Sequence, residues 1–378
     1  MKYPIGIQDF EDLQRNGYAY VDKTNFVYKL ADEGKYYFLS RPRRFGKSLF
    51  LSTLEAYFQG KKELFEGLAI YDLETEWKKY PIFYIDLNTA NFREKDSLYT
   101  VLNDYLTTWE SKYGTRESEA TLALRFKGVI ARAAEKEGCG VVILIDEYDK
   151  PILQTLRDPE LQAEHRAQLK AFYSVLKTQD RYIKFAFLTG VTKFGKVSVF
   201  SDLNNLTDIS MDHRYISICG MTEKELLTNF KEGINELAEA NGDTKEATIA
   251  KLKARYDGYH FEENTVGIYN PFSVLNTLAN SRYDDYWFKA DTHPFLIDIL
   301  KIHDYCITDL SKAQVKANMM NNVDTNPIPV IYQGGYLTIK SYDERFKNYQ
   351  LGFPNKEVEN GILNILLPHD SKSGKVVY

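Results

Sequence analysis

The segment Ser40-Arg41-Pro42-Arg43-Arg44-Phe45-Gly46-Lys47-Ser48 constrains this chain more than any other. A short apolar run, Tyr36-Tyr37-Phe38-Leu39, precedes it, and a helix-like stretch, Leu49 to Phe58, follows. Strand, tight loop ending in Gly-Lys-Ser, then helix is the layout of a phosphate cradle. Gly46 lets the backbone approach an anion and take a positive φ. Lys47 places an ammonium for β- and γ-phosphates, and Ser48 supplies a hydroxyl for Mg²⁺. The N–H groups that open the helix, Ser48 and Leu49 among them, point at the same anion, as do the amides of Arg44, Phe45 and Gly46. The standard pattern (the Walker A motif) has a glycine at position 41. Arg41 stands there, so half of the pattern is missing. On the tripeptide alone a solvated basic turn explains the residues as well.

A second segment shifts the balance. Val141-Val142-Ile143-Leu144-Ile145 is apolar throughout, β-branched except at Leu144, and ends in Asp146-Glu147. Such a run suits a strand buried on both faces of a parallel sheet. The carboxyl end of that strand is where open α/β sheets place ligands. Asp146 there, in the manner of a Walker B acid, can hold Mg²⁺ through a water or through Ser48. Glu147 can orient and deprotonate an attacking water. The competing explanation is a strand that ends in a solvated acidic turn.

A third strand is expected at Ile183-Lys184-Phe185-Ala186-Phe187-Leu188, ending in Thr189-Gly190. In ATPases with an extra strand between the two nucleotide motifs, a polar residue here senses the γ-phosphate. Thr189 is the candidate, with Thr192 close behind. Lys193 or Lys196 could reach a phosphate from the same edge, or be solvated as most lysines are. Gly195-Lys196 is a poor rival to the phosphate loop, because Val197 cannot ligate Mg²⁺. Pro81 to Leu87 reads as a further strand. Asp86 at its end stands at the ligand edge, although an Asp closing a turn is the commoner case.

The chain has 378 residues, enough for two or three domains with substantial cores. Lys plus Arg number 48 against 53 Asp plus Glu, a net charge of −5 that argues against a chain-wide nucleic-acid surface but not against a local basic patch. Cys139, Cys219 and Cys306 show neither a disulfide framework nor metal spacing, which points to a reducing, cytoplasmic setting. Met1-Lys2-Tyr3-Pro4 has no apolar signal core, and no run is long enough to span a membrane. Tyr and Phe are frequent, at 28 and 22, but they are spread along the whole chain, so core and boundary packing explains them better than base stacking.

Strand–helix alternation over residues 36–200 indicates an α/β core with a parallel sheet and helices on both faces, taken here as residues 1–215. Helices are expected over 95–113, 117–137 and 158–178, and an amphipathic stretch ends at Leu30. The segment Tyr18 to Thr24 has the position that often lies near base and ribose in nucleotide-binding domains. Residues 216–378 change character. Thr222-Glu223-Lys224-Glu225 resembles a capping box opening a helix to about Ala240, and Asn241-Gly242-Asp243 stops it. Pro271 fits a first helical turn. Tyr336 to Lys340 and Tyr349 to Leu351 suggest a β-hairpin, so this part is expected to be a mostly helical, winged-helix-like module.

Arg41 to Ser48, Ile145-Asp146-Glu147-Tyr148-Asp149-Lys150-Pro151, Thr189 to Lys193, Leu203 to Leu206 and Tyr256-Asp257-Gly258-Tyr259 together resemble the bacterial AAA-ATPase-like domain family. Tyr269-Asn270-Pro271-Phe272-Ser273 and Leu351-Gly352-Phe353-Pro354-Asn355 extend the likeness over nearly the whole chain. The resemblance implies a P-loop ATPase core that binds ATP, with Arg at the missing glycine position usual for the family. It also implies that members commonly continue past the Gly-Phe-Pro-Asn element into a nuclease domain of the PD-(D/E)XK type. Tyr378 follows that element closely, so the expectation is a chain without room for that domain or a truncated piece of a longer protein.

The function expected is Mg²⁺-dependent ATP hydrolysis driving a conformational change. Lys47 and the loop amides from Arg44 to Leu49 hold phosphates, Ser48 and Asp146 hold Mg²⁺, Glu147 positions water, and Thr189 or Lys193 reports the γ-phosphate. Arg44 is expected on phosphate, and Arg41 and Arg43 at solvent or on acids. The alternative is a slow or non-hydrolysing nucleotide-dependent adaptor for DNA or a protein. A scaffold that has lost nucleotide binding is a third reading, opposed by the intact Lys47, Ser48, Asp146 and Glu147. ATP is chosen over GTP by resemblance, and a DNA partner, a protein partner and homo-oligomerisation all stay open.

Overall fold

The expected apolar runs become strands of a parallel sheet, and Tyr36–Ser40 and Val141–Asp146 are buried along their whole length. The computed structural model describes residues 1–193, 205–290, 296–297, 299–300, 307–320 and 326–373. Lys196, Leu203-Asn204 and Cys306 lie outside the described residues. The chain groups into two compact units. One holds Asp22–Ser40 with Ser48–Ile209; the other holds Met1–Val21, Arg41–Lys47 and Ser210–Tyr378. A short helix, α1 (Phe10–Arg15), opens the second of these, capped by the Asp9 side chain on the Asp12 N–H.

The α/β unit runs α2 (Thr24–Glu33), β1 (Tyr36–Ser40), α3 (Lys47–Phe58), α4 (Ala69–Leu73), β2 (Ile82–Asp86), α5 (Ser97–Tyr113), α6 (Leu122–Glu137), β3 (Val141–Asp146), α7 (Lys150–Gln154), α8 (Pro159–Thr178), β4 (Ile183–Gly190) and β5 (Thr207–Asp208). All strand pairs are parallel, in the order β2-β3-β4-β1-β5. Every residue of β1 and β3 is buried, which requires cover on both faces of the sheet. β2, with β3 alone beside it, alternates half-buried and buried positions. The added strand β4 lies between β1 and β3, as the third motif led one to expect.

Caps account for the helix ends here. Thr121 accepts from the Leu124 N–H and opens α6, while Gly138, at φ 67°, closes it. Asp158 caps α8 at the Leu161 N–H with Pro159 just inside. Phe126 of α6 stacks on Phe172 of α8 at 4.2 Å between ring centres, a contact of about 1 kcal/mol beyond its area.

The other unit is mostly helical, with α9 (Glu223–Asn229), α10 (Lys231–Asn241), α11 (Lys245–Tyr256), α12 (Pro271–Asn280), α13 (Tyr286–Lys289), α14 (Ile307–Ser311), α15 (Pro327–Gln333) and α16 (Lys356–Ser373). Three antiparallel strands, β6 (Gln314–Lys316), β7 (Thr338–Asp343) and β8 (Asn348–Gly352), pair in the order β6-β8-β7. The expected hairpin is β7–β8, and β6 adds a strand the sequence did not announce. Thr222 and Glu225 form the capping box. The single helix expected from there to about Ala240 breaks at Phe230, which leaves helical geometry at φ −122° and buries its ring. Phe230, Ile234, Leu237, Leu252, Tyr256 and Leu278 build the core of this unit, and Tyr3, Ala19 and Val21 pack against it.

Two motifs of this unit are joined by a close approach. Gly258 takes φ +92°, and a Cβ there would collide with the Pro354 carbonyl. Asn355 then donates to the Asp257 carbonyl at 2.8 Å and caps α16 through the Val358 N–H at 3.2 Å.

Glu357, in the first turn of α16, is buried. It accepts from Ser273 Oγ at 2.9 and 2.8 Å and from the Trp287 N–H at 2.7 Å. Burial nevertheless lifts its pKa from 4.5 to about 8, and the nearby Asp285 adds to the rise. The unfolded chain therefore releases this proton near pH 4.5, while the folded chain keeps it to about pH 8. Across that interval the unfolded state binds fewer protons, so stability falls as pH rises, by a few kcal/mol on the order of magnitude that the shift allows. Urea denaturation at about pH 5 and about pH 9 is expected to show this loss, and Glu357→Gln to flatten it. An unchanged slope in the variant would assign the pH dependence elsewhere.

Candidate active site

At the carboxyl ends of β3 and β4, one carboxylate joins two motifs. Asp146, the last residue of β3, accepts from Ser48 Oγ at 2.5 Å and from Thr189 Oγ1 at 2.5 Å. Asp146 and Thr189 are buried, and Ser48 is half-buried in the first turn of α3. The register explains the meeting. Thr189 pairs with Leu39 at the end of β1, the strand that feeds the phosphate loop, and β3 flanks β4 on its other side.

Glu147, the next residue, has φ +52°. A non-glycine residue in the left-handed region costs about 1–3 kcal/mol and persists only where its surroundings over-determine it. Here they do. The Tyr148 N–H donates to the Thr189 carbonyl at 3.0 Å, and Tyr148 Oη donates to the Thr192 carbonyl at 2.9 Å. The Asp149 carboxylate, wholly buried, accepts from the Val191 N–H at 3.1 Å, the Thr192 N–H at 2.6 Å and Thr192 Oγ1 at 2.7 Å. Gly190 permits this approach, since a Cβ there would lie 2.6 Å from Asp149 Oδ1 and 2.7 Å from the Tyr148 ring. The end of β4 is thus clasped to the Glu147 turn. Sequence reasoning did not assign Tyr148, Asp149 and Gly190 to the site. The trace of them was their place inside the motifs Ile145 to Pro151 and Thr189 to Lys193 that carry the family resemblance.

The phosphate loop belongs to the helical unit. Arg44 has φ +62° and Gly46 φ +95°, with open space where a Gly46 Cβ would stand. Lys47 is buried, and its Nζ donates to the carbonyls of Arg41 at 3.1 Å and Pro42 at 3.3 Å. The ammonium is therefore folded within the curve of its own loop. Phe45 is buried with its ring centre 4.8 Å from Tyr259 and 5.9 Å from Phe261, and its carbonyl accepts from the Gly220 N–H. Arg44 is exposed, its guanidinium 4.3 Å from the Phe272 ring centre. Leu49 is half-buried in the first turn of α3.

Arg41 corrects one expectation. It does not face solvent; it is 1% exposed. Its guanidinium donates to the carbonyls of Ser210 at 2.7 Å and Tyr215 at 3.2 Å, and lies 4.0 Å from the Phe261 ring centre. A glycine could not make these bonds. The planar fork supplies several donors at fixed angles and stacks on an aromatic face, which a lysine would not reproduce. The residue at the missing glycine position thus ties the start of the loop to the segment after residue 210.

Lys193 pairs with Asp208, at the end of β5, at 2.5 Å. Thr192 is buried on Asp149. Asp86 lies in register beside Asp146 at the ligand edge, but its carboxylate accepts from the Asn88 N–H at 2.7 Å and closes a turn. The donor chemistry fits Mg²⁺. A hydroxyl and a carboxylate oxygen converge, and Mg²⁺ characteristically takes one or two protein oxygens with the rest from phosphate and water. Among the described residues no group of three or more His, Cys, Asp or Glu could cage a metal without such help.

A five-stranded parallel sheet in this order, with the phosphate loop after β1 and paired acids after β3, defines a P-loop NTPase core. The chain belongs to the AAA-ATPase-like family, described as predicted AAA-ATPases, whose model matches residues 4–200. This membership carries nucleotide binding of the ATPase type as the general class of function. A protein of Azotobacter chroococcum mcd 1, described as an uncharacterized protein in the vnfD 5' region, is 37% identical over 372 residues, covering 97% of this chain and 70% of its own. The solved structure of the Aeropyrum pernix ORC2 protein, in ADPNP–ADP complexes, aligns over 96% of this chain and 94% of its own at 12% identity, with a TM-score of 0.29. No helix among the described residues is long and apolar enough to cross a membrane.

Proposed function

We propose that this protein binds ATP with Mg²⁺, hydrolyses it, and uses the nucleotide state to change its own conformation in the cytoplasm. The observation that carries the reading is the Asp146 carboxylate shared between Ser48 Oγ and Thr189 Oγ1. In this reading Lys47 and the amides from Arg44 to Leu49 bind the phosphates, with Arg44 adding charge at their edge. Ser48 and Asp146 would hold Mg²⁺, which would supply charge neutralisation for the phosphates. Glu147 accepts a proton from the attacking water. Thr189 Oγ1, bonded to Asp146, would report the γ-phosphate, and Lys193 would do so on leaving Asp208. The grouping of residues 41–47 with the helical unit supports the conformational part, because a ligand that orders the loop acts directly on that unit.

Calorimetric titration of ATP with Mg²⁺ into the unaltered chain, followed by phosphate release with and without DNA, tests the reading. Saturable binding with turnover is the expected result. Binding without turnover would favour the adaptor, and no binding would leave the scaffold. A rise in turnover with DNA or with protein concentration would bring in DNA or a second copy of the chain.

A further inference from the structure

The helical unit holds one buried polar chain that ends on the phosphate loop. Trp287 of α13 is 3% exposed, and its indole Nε1–H donates to the Arg43 carbonyl at 3.0 Å. Arg43 immediately precedes Arg44, and Arg44 and Gly46 both have positive φ. The backbone N–H of the same tryptophan donates to Glu357 Oε1 at 2.7 Å. Ser273 Oγ, in the first turn of α12, donates to that carboxyl group and also lies 3.2 Å from the Trp287 N–H as an acceptor. Tyr336 packs against the indole at 5.4 Å between ring centres. So the indole is fixed from its backbone by a buried acid, from its face by an aromatic ring, and at its tip by the loop.

We infer that Trp287 is a positioning residue for the phosphate loop, that Glu357 and Ser273 hold it in place, and that its indole reports whether nucleotide is bound. This rests on the nucleotide-binding reading above. The physical reason lies in the loop backbone. A peptide with two left-handed residues separated by one, Arg44 and Gly46, has few ways to present its amides to an anion, and a hydrogen bond to the Arg43 carbonyl fixes the peptide plane from which they start. Phosphate binding pulls those amides toward the ligand and changes the environment of the indole N–H. Tryptophan emission is sensitive to such a change.

The test combines three chains in calorimetry with ATP and Mg²⁺, with intrinsic fluorescence on the same samples. Trp287→Phe keeps an aromatic ring but loses the N–H. It is expected to bind ATP about fivefold to tenfold more weakly, the loss of one net hydrogen bond, and to lose most of the nucleotide-dependent emission change. Glu357→Ala removes the acceptor of the Trp287 N–H and is expected to weaken ATP binding in the same direction, and full affinity in that chain would overturn the part given to Glu357. The chain has three tryptophans, so Trp77→Phe with Trp109→Phe leaves Trp287 as sole emitter, and its signal is expected to shift on ATP addition. Should Trp287→Phe not fold, this last chain decides. An emission shift supports the inference, and none overturns it. Full affinity in Trp287→Phe with an unchanged emission response also overturns it. If the unaltered chain binds no nucleotide at all, the functional reading fails first and the inference goes with it. A chain that binds ATP with no response at Trp287 sinks the inference alone.

Discussion

Lys47→Ala is expected to abolish ATP binding in calorimetry and with it any rise in Tm on ATP addition. The residue is 4% exposed, and its ammonium already lies on the Arg41 and Pro42 carbonyls, inside the loop that would receive the phosphates. A bound nucleotide replaces those neutral acceptors with charged ones. Charge-assisted hydrogen bonds contribute about 1.5–3 kcal/mol each. Two of them account for roughly a hundredfold or more in affinity, since about 1.4 kcal/mol is a factor of ten. The alanine also leaves two loop carbonyls without this donor, so a modest loss of stability is expected in the same samples. The two effects separate cleanly, because Tm without nucleotide reads the second and the ATP-induced shift reads the first. Retained micromolar binding by a folded Lys47→Ala chain would remove the phosphate-loop assignment.

The sheet was legible because burial and sequence carry the same information there. Val141 to Ile145 and Phe185 to Leu188 are apolar without alternation, and a strand covered on both faces needs just that. Asp146 and Thr189 could be placed at one edge because each ends such a run, and parallel strands bring their carboxyl ends together. Local helix starts were legible for a similar reason: Thr222 with Glu225, and Pro271 in a first helical turn, act within a few residues of themselves. The clasp on Glu147 was not. It depends on a buried acid, Asp149, meeting backbone N–H groups about forty positions later, and no local pattern encodes such a partner. The break at Phe230 was hidden because the apolar residues on either side keep a helical spacing, although Thr228, Asn229 and Gly233 are weak helix formers. Burial of the ring in the unit's core goes with the break.

Arg41 shows why a missing motif residue need not mean a lost site. The usual glycine at that position gives the backbone freedom. In this chain Pro42 restricts it instead, and Arg41 anchors the loop by its side chain on Ser210 and Tyr215 carbonyls. Trp287 on the Arg43 carbonyl and Phe45 between Tyr259 and Phe261 add two further anchors. The loop is thus shaped by residues from 210 onward, where a glycine-rich loop would shape itself. In the proposed function, nucleotide bound at the loop would act on the residues that anchor it.

Glu147→Gln is expected to keep ATP affinity within about twofold and to lower turnover by a factor on the order of 10²–10⁴, the usual contribution of a general base. The substitution preserves volume and one acceptor oxygen, so the left-handed turn at φ +52° is retained. That turn is held by Tyr148 and Asp149 on the end of β4. The substitution is chosen to remove proton acceptance. The loss should therefore fall on kcat with KM little changed, the pattern of an interaction made in the transition state and not in the ground state. Asp149→Asn makes the contrast. It disturbs a buried carboxylate that takes three donors from Val191 and Thr192, so stability is expected to fall together with activity. Phosphate release and calorimetry on Glu147→Gln decide the matter: turnover within about threefold of the unaltered chain would exclude Glu147 as the base and turn attention to the other acid at the sheet edge, Asp86.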